Sequence, residues 1–232
     1  MRKIRFFAIG SGVFMLGIGV AVAGIYARNP LIPPALYPVQ GAPFTVTIES
    51  VWEGTPGHPP GREFTKVIRD TGGRERIESP AMEETVVTGE PARFDIYDFA
   101  QERMIELDPQ PKIAIVRRME HVGRPIKIDL SVDLAIPGHP AKGGGEYLGM
   151  QQIAGQETWG QHLVQTFHYA DGHTATSVRD LWLSAVYKMP LMQVQEDGQL
   201  GKLTQRVIRF EAGEPDANLF EIPAGYTVLQ GK

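Results

Sequence analysis

The sequence of 232 residues contains no cysteine. Disulfide bonds, thiolate metal ligands and a cysteine nucleophile are therefore excluded. Bacterial lipoproteins carry their lipid on a cysteine that follows the signal, so this modification is excluded as well. An exported form of the chain is then either soluble outside the cytoplasm or held at the membrane by its own polypeptide.

An excess of charge of one sign is also missing. Lys and Arg together number 23 against 27 for Asp and Glu, and the two signs are mixed along the chain. Nucleic-acid-binding domains normally carry a clustered basic surface. We therefore expect no nucleic-acid partner.

Recognisable catalytic motifs are absent. Neither Gly-x-Ser-x-Gly nor Ser-x-x-Lys occurs, so the common serine-hydrolase arrangements are not indicated. Gly201-Lys202 lacks the upstream glycine of a phosphate-binding loop and is interpreted as the start of a strand. We assign no catalytic residue and no cofactor, and we expect a protein that is not an enzyme.

The six histidines do not form a metal-binding pattern. His162 and His168 lie six residues apart, which is about 20 Å along an extended strand and too far for one ion. His168 and His173 bracket a hairpin turn but supply only two imidazoles. No metal site is predicted, while an enzyme of unrecognised type that uses His58, His139, His168 and His173 remains an alternative.

The N-terminal residues have the layout of a secretory signal. Arg2, Lys3 and Arg5 precede Phe6 to Ala27, an apolar run without a charged residue. The basic residues favour the cytoplasmic side, so the rest of the chain is expected on the periplasmic side of the inner membrane. Ala21-Val22-Ala23 suits a signal peptidase, and the run is also about the 20 residues that span a bilayer. A cleaved signal peptide and a membrane anchor both remain open for residues 1–27.

Residues 28–43 contain five prolines, which forbid a regular helix and favour a semi-rigid spacer. Residues 44–232 are then predicted to form a single, mostly β domain. Phe44 to Trp52 alternates apolar and polar residues, with Phe44, Val46 and Ile48 on one face, as in a half-buried strand. Residues 62–70 and 73–78 are expected to form a hairpin.

Short strands with turns between them continue to the C-terminus. Strands are predicted at 93–99, 103–107, 112–116, 146–153, 156–159, 161–169, 174–187, 191–195 and 202–210, followed by a proline-bounded tail at 214–226. An amphipathic helix through Phe94, Tyr97 and Met104 is the alternative for the first of these segments. Val178 to Val186 is apolar on both faces, so that strand is expected to be central. The fold class is mainly β: a curved antiparallel sheet or unclosed half-barrel of about 8 to 11 strands, with little helix beyond an N-terminal apolar helix.

The C-terminal half resembles a family of uncharacterised exported bacterial proteins. The resemblance covers about residues 146 to 228 and is carried by Asp180-Leu181-Trp182-Leu183-Ser184, by Asp197-Gly198 with Gly201-Lys202-Leu203-Thr204, and by Glu214 to Tyr226. This family is similar in turn to the outer-membrane lipoprotein carriers. That similarity implies an unclosed half-barrel with a hydrophobic cavity for acyl chains, and it supplies no catalytic residue.

Aromatic residues on the predicted strands are the candidate ligand contacts. Trp52, Phe167 and Trp182, with Trp159 and Tyr169, are either core residues or the lining of an apolar groove on the concave face. We therefore expect a non-catalytic envelope protein that binds a lipid or a lipidated protein. The alternative is an accessory protein, tethered through Phe6 to Ala27, that presents a sheet edge or the Gly143-Gly144-Gly145 loop to a protein partner not identifiable from the sequence.

Overall fold

The computed structural model describes residues 39–54, 60–79, 93–119, 145–168, 174–184, 186–197 and 201–231. These residues form twelve β-strands and one short 3-10 helix, Ala217–Phe220. The strands are β1 Phe44–Trp52, β2 Gly61–Arg69, β3 Glu75–Ser79, β4 Arg93–Asp98, β5 Arg103–Asp108, β6 Ile113–Arg118, β7 Glu146–Ile153, β8 Gln156–His168, β9 Thr174–Ser184, β10 Met189–Asp197, β11 Gly201–Ala212 and β12 Thr227–Gln230.

All twelve strands belong to one curved, unclosed sheet. Its order is β12-β6-β5-β4-β3-β2-β1-β11-β10-β9-β8-β7, so β12 and β7 are its edges within the described part of the chain. Neighbouring strands are antiparallel, except that β12 runs parallel to β6. The predicted class, a mainly β curved sheet with little helix, is confirmed for the described residues.

The sheet consists of two meanders that meet at its centre. Strands β1 to β6 follow one another along the chain, as do β7 to β11. The meanders join where β1 pairs with β11, from Phe44 opposite Ala212 to Trp52 opposite Leu203. A bulge lies in this ladder next to Thr47 and Ile48.

Several strand predictions are confirmed and some are corrected. Residues 93–118 form the meander β4-β5-β6, and the alternative helix through Phe94, Tyr97 and Met104 is not found. Residues 156–159 and 161–169 were predicted as separate strands, but Gln156–His168 forms one strand. The described residues contain twelve strands instead of 8 to 11, because part of the expected tail, Thr227–Gln230, adds a strand to β6.

The predicted central strand lies between β8 and β10. It ends earlier than predicted, at Ser184, because a turn begins there. The Lys188 amide donates to the carbonyl oxygen of Ser184 at 2.8 Å, and Lys188 itself has a positive φ of 53°. The turn Asp171-Gly172 between β8 and β9 lies outside the described residues.

The alternation of β1 places its apolar residues in a first core. Phe44, Val46 and Ile48 are 2%, 1% and 0% exposed, as expected for side chains that share one face of a strand. Buried residues from both meanders join them, namely Val67, Ile77, Tyr97, Phe99, Ile153, Met189, Leu191 and Val207. This cluster therefore fastens the two meanders together.

A second core lies on the opposite face of the first meander. Ile68, Ile96, Ile105, Leu107 and Ala114 are buried there together with Phe220 of the 3-10 helix. Both faces of the first meander thus carry buried residues, and the C-terminal segment covers the face with the second core. The tail that the sequence indicated only as proline-bounded is part of the hydrophobic core.

Polar contacts hold this C-terminal segment in place. Arg76 Nη1 donates to the Leu219 carbonyl at 2.8 Å, and the Arg74 guanidinium lies 4.7 Å from the Phe220 ring centroid. The carboxylate of Asp216 caps the 3-10 helix by accepting from the Asn218 amide at 2.9 Å. The closing Glu-Pro-Asp to Gly-Tyr motif therefore has a structural role, because it docks the tail onto the β2–β3 hairpin.

The apolar helix expected at Phe6 to Ala27 lies outside the described residues. Within the described part of the chain, no helix combines the length and hydrophobicity needed to cross a bilayer. The last residues of the predicted spacer pack onto the sheet, since Val39 is 6% exposed and the Gly41 amide donates to the Thr71 carbonyl at 3.0 Å.

Candidate ligand-binding face

Strand β1 and the neighbouring strands of the second meander present a continuous row of side chains on one face. Directly opposed residues of neighbouring antiparallel strands point to the same face of a sheet. From β1 to β8 the register aligns Trp52, Leu203, Gln195, Arg179 and Leu163. Because Trp52 has the same parity as Ile48, this row continues the face that carries the first core.

Apolar residues two positions further along the strands extend this row. Leu181 is opposite Gln161, and Leu183 is opposite Trp159. Trp159 is itself opposite Met150 of β7, which is 49% exposed, and its ring centroid lies 6.0 Å from that of Tyr147. We name Trp52, Trp159, Leu163, Leu181, Leu183 and Leu203 the C-terminal apolar face.

This face differs from the same face of the first meander in its exposure. All six of its residues are half-buried, whereas Phe44, Val46 and Ile48 are at most 2% exposed. Large apolar side chains that stay partly accessible next to a closed core are a common property of ligand-binding surfaces. The C-terminal apolar face is therefore the best candidate site in the described residues.

Uncharged polar groups lie within the apolar surroundings of this face. Gln205 Nε2 donates to Ser50 Oγ at 2.9 Å, and both residues are 0% exposed. Gln195 Oε1 accepts from Gln193 Nε2 and from Arg179 Nη2, each at 3.3 Å. Gln205 and Ser50 are closed to a ligand, whereas Gln195 and Arg179 are half-buried and can contact and position one.

The three residues predicted from the sequence as ligand contacts lie on three strands, Trp52 on β1, Phe167 on β8 and Trp182 on β9. Trp52 belongs to the C-terminal apolar face and lies across Gly61, where a Cβ atom would come within 2.2 Å of its ring. Trp182 is opposite Gly160 and Met192, and both Trp182 and Met192 pack against the first core. Phe167 pairs with Ala175 towards the end of the β8–β9 ladder.

A groove of about 450 Å³ lies on the opposite face of the sheet. Strands β1, β2 and β11 form its floor with Thr45, Thr47 and Ile68, and Leu219 of the C-terminal segment forms part of its wall. Lys66, Arg209, Glu211 and Asp216 place charges of both signs around it. This mixture of charges suits solvent better than an apolar ligand.

His162 is the histidine for which the structure describes a partner. Its Nδ1 lies 2.6 Å from Asp180 Oδ1, and both side chains are about one-third exposed, at 31% and 33%. No group of three His, Asp or Glu residues able to hold a metal ion occurs within the described ranges. His58, His139 and His173 lie outside the described residues. The alternative of an enzyme that uses these histidines therefore stays a prediction.

No protein-family model and no curated protein matches the sequence. Among solved structures, a chain in the complex of Pseudomonas aeruginosa MucA/MucB is 12% identical with a TM-score of 0.48. The match covers 82% of this chain and 59% of that chain, so this chain spans less than two thirds of its length.

A LolA superfamily protein from Nitrosomonas europaea is 12% identical with a TM-score of 0.37, and the match covers 80% of this chain and 92% of that one. LprF from Mycobacterium bovis has the same identity and TM-score, 12% and 0.37, with coverage of 81% and 91%. Structures named as a LolA superfamily protein and as an outer-membrane lipoprotein-sorting domain are thus among those to which this chain is similar.

A buried ion pair lies beside the first core and was not predicted from the sequence. Arg69 Nη1 is 3.9 Å from Glu75 Oε1, and their side chains are 2% and 5% exposed. Glu75 Oε2 has no hydrogen-bond partner among the described residues. Burial raises the pKa of Glu75 to about 7, although the nearby Arg69 charge opposes this shift.

This pKa predicts a stability that depends on pH. The Glu75 carboxyl binds its proton more tightly in the folded chain, with a pKa of about 7, than in the unfolded chain, with 4.5. Its contribution is therefore fully present below pH 4.5 and is lost as the pH rises through about 7, by up to about 3 kcal/mol. Urea unfolding of the wild type and Glu75→Gln between pH 4.5 and 8 should show this loss in the wild type only. Parallel curves for the two proteins would contradict it.

Proposed function

We propose that this chain is a non-catalytic protein of the cell envelope that binds an apolar or lipid-like ligand on the C-terminal apolar face. The observation that carries the proposal is the contrast along one face of one sheet. Phe44, Val46 and Ile48 of β1 are closed into a core, while the six residues of the C-terminal apolar face stay half-buried. A lipid chain would cover this remaining apolar surface, at about 25 cal/mol for each Å² removed from water.

The N-terminal residues support the envelope location. Basic residues followed by the uncharged run Phe6 to Ala27 favour export, so the sheet would face the periplasmic side of the inner membrane. A retained segment would anchor the protein there, whereas cleavage would release it. The proposed domain arrangement is a signal peptide or anchor at 1–27, a spacer at 28–43 and the β domain at 44–232.

The proposal predicts that lipid accompanies the protein. Native mass spectrometry and solvent extraction of protein purified from host envelopes should recover bound lipid. Leu181→Gln on the C-terminal apolar face should bind about ten-fold less, since it removes apolar contact area from that face. Val164→Gln is the matched control: Val164 is 56% exposed, and its register places it on the other face of β8. Wild-type protein that is consistently empty, in both assays, would reject the proposal.

A second function is favoured by the sheet edge at β7. Leu148 and Met150 of this strand are 41% and 49% exposed, and among the described strands β7 pairs with β8 alone. An edge strand can add a strand from another protein through main-chain hydrogen bonds. Tethered at the membrane, the chain would then act as an accessory protein. If the chain is an accessory protein, cross-linking from β7 in cells should capture one stable protein partner. If it is a lipid-binding protein, the same experiment should capture no such partner, and lipid should be recovered with the purified protein.

A further inference from the structure

Arg179 is a cation placed among the apolar residues of the candidate face. In the register it lies between Leu163 of β8 and Gln195 of β10, and its side chain is half-buried. The guanidinium group keeps its charge in proteins. Burial nevertheless lowers the pKa of Arg179, which reflects the cost of taking this charge out of water.

The hydrogen bonding of Arg179 is incomplete. Its Nη2 donates to Gln195 Oε1 at 3.3 Å, and among the described residues no carboxylate forms an ion pair with it. Other arginines of this chain have such partners: Arg74 pairs with Asp70 at 2.6 Å, and Arg93 pairs with Asp95 at 2.9 Å. Four of the five N–H groups of Arg179 thus have no acceptor among the residues that the structure describes.

A guanidinium group binds carboxylate or phosphate through two parallel hydrogen bonds, which makes it selective for planar and anionic acceptors. Gln195 holds one nitrogen of Arg179, and Gln193, only 1% exposed, donates to the same Gln195 oxygen. Within the described ranges, the guanidinium is therefore oriented by neutral groups, which leave its charge uncompensated. An anion is the complementary ligand.

Apolar residues continue from Arg179 along β9. Leu181 and Leu183 follow at alternate positions, so an apolar path of about 13 Å leads away from the guanidinium on the same face. Trp159 lies opposite Leu183 at the end of this path. The site therefore has a charged group at one end and an apolar surface leading away from it.

We propose that the ligand is an anionic amphiphile, whose acidic head binds Arg179 and whose acyl chain lies along Leu181, Leu183 and Trp159. This assignment rests on the proposed function and narrows it, because a neutral lipid would fit the apolar path but would leave the guanidinium without a counter-charge. Carboxylate and phosphate heads share the required chemistry.

The test compares three lipids that have the same oleoyl chain. The affinity of oleate, oleoyl lysophosphatidate and monoolein is measured by how well each displaces the neutral dye 1-N-phenylnaphthylamine from the purified protein at pH 8. Wild-type protein should bind at least one of the anions about ten-fold more tightly than monoolein, which corresponds to one charge-assisted hydrogen-bonded pair. The anion that binds more tightly identifies the head group as carboxylate or phosphate.

Arg179→Gln should remove this preference while dye and monoolein binding stay within about two-fold of wild type. Arg209→Gln is the control. Arg209 lies on β11, in the same meander as Arg179, but its side chain is 74% exposed and pairs with Glu211. A second variant, Arg179→Lys, retains the charge and should keep part of the preference. Thermal unfolding of each variant checks that the fold is intact.

Equal binding of all three lipids by the wild type, or an unchanged preference in Arg179→Gln, would overturn the inference and leave the proposed function standing. Failure of all three lipids to displace the dye, or of the dye to bind, would overturn both. Loss of monoolein binding in a folded Arg179→Gln variant would also reject the role of Arg179 as a head-group site.

Discussion

Replacing Arg69 with alanine is expected to lower the free energy of unfolding by about 3 to 5 kcal/mol, as found when one partner of a buried ion pair is removed. Arg69 Nη2 donates to the carbonyl oxygens of Ala42 and Tyr187 at 2.8 and 2.6 Å. Its guanidinium also lies 4.4 Å from the Phe44 ring centroid. Alanine would leave both carbonyls without this donor and the Glu75 carboxyl without its cation.

The position of Arg69 explains why one side chain has so large an effect. Ala42 precedes β1, and Tyr187 lies in the turn between β9 and β10, so the guanidinium joins the start of one meander to a turn of the other. Tyr187 also packs against Phe44 and Phe210, at centroid distances of 6.1 and 4.5 Å. Loss of the arginine therefore weakens the junction of the two meanders.

Urea unfolding monitored by tryptophan fluorescence measures this effect, with Arg62→Ala as the matched control. Arg62 is on the same strand and also pairs with a glutamate, Glu49, but its side chain is 61% exposed. It should change stability by no more than about 1 kcal/mol. The Arg69 effect should be larger at pH 8 than at pH 5, because Glu75 is then ionised. Similar small effects on stability for both variants would show that Arg69 does not hold the two meanders together.

Replacing Phe220 with alanine is expected to cost about 3 to 5 kcal/mol, the usual range for a fully buried phenylalanine. Phe220 is 0% exposed and is the residue through which the 3-10 helix enters the second core. The substitution would leave a cavity against Ile68, Ile96 and Ile105. It would also remove the ring on which Arg74 rests.

Val228→Ala provides the comparison for Phe220→Ala. Val228 lies in the same C-terminal segment, on β12, and is 49% exposed. Its substitution should change stability by about 0.5 kcal/mol or less. Urea unfolding gives both values, and limited proteolysis should release C-terminal peptides from Phe220→Ala first. A loss below about 1 kcal/mol for Phe220→Ala would mean that the tail is not part of the core.

The strands of this protein were largely predictable because their alternation reflects burial on one face. Phe44 to Trp52 shows this, since its predicted bounds equal those of β1. The C-terminal segment was not predictable in the same way. Leu219 and Phe220 lie in a short segment between Pro215 and Pro223 that lacks a strand or helix period, so only the long-range contacts with the first meander give them a structure.

The candidate face was predicted only in part. Strand parity identifies Trp52 as a neighbour of Ile48, but the relation of Trp52 to Trp182 depends on the register of three other ladders. Arg179 was not selected from the sequence, because its importance lies in what surrounds it. Gln193 and Gln195 recur at alternate positions of β10, which is the one local signal that could have drawn attention to a polar row.

The pairing of β1 with β11 has a consequence for how the protein is made. Phe44 must contact Ala212, so the centre of the sheet closes only after more than two thirds of the chain has been synthesised. Contacts between such distant residues slow folding, because a long loop must be ordered before they form. During synthesis β1 would have β2 as its neighbour and an open edge on the other side. That edge is where a chaperone, or a second nascent copy of this chain, would bind first.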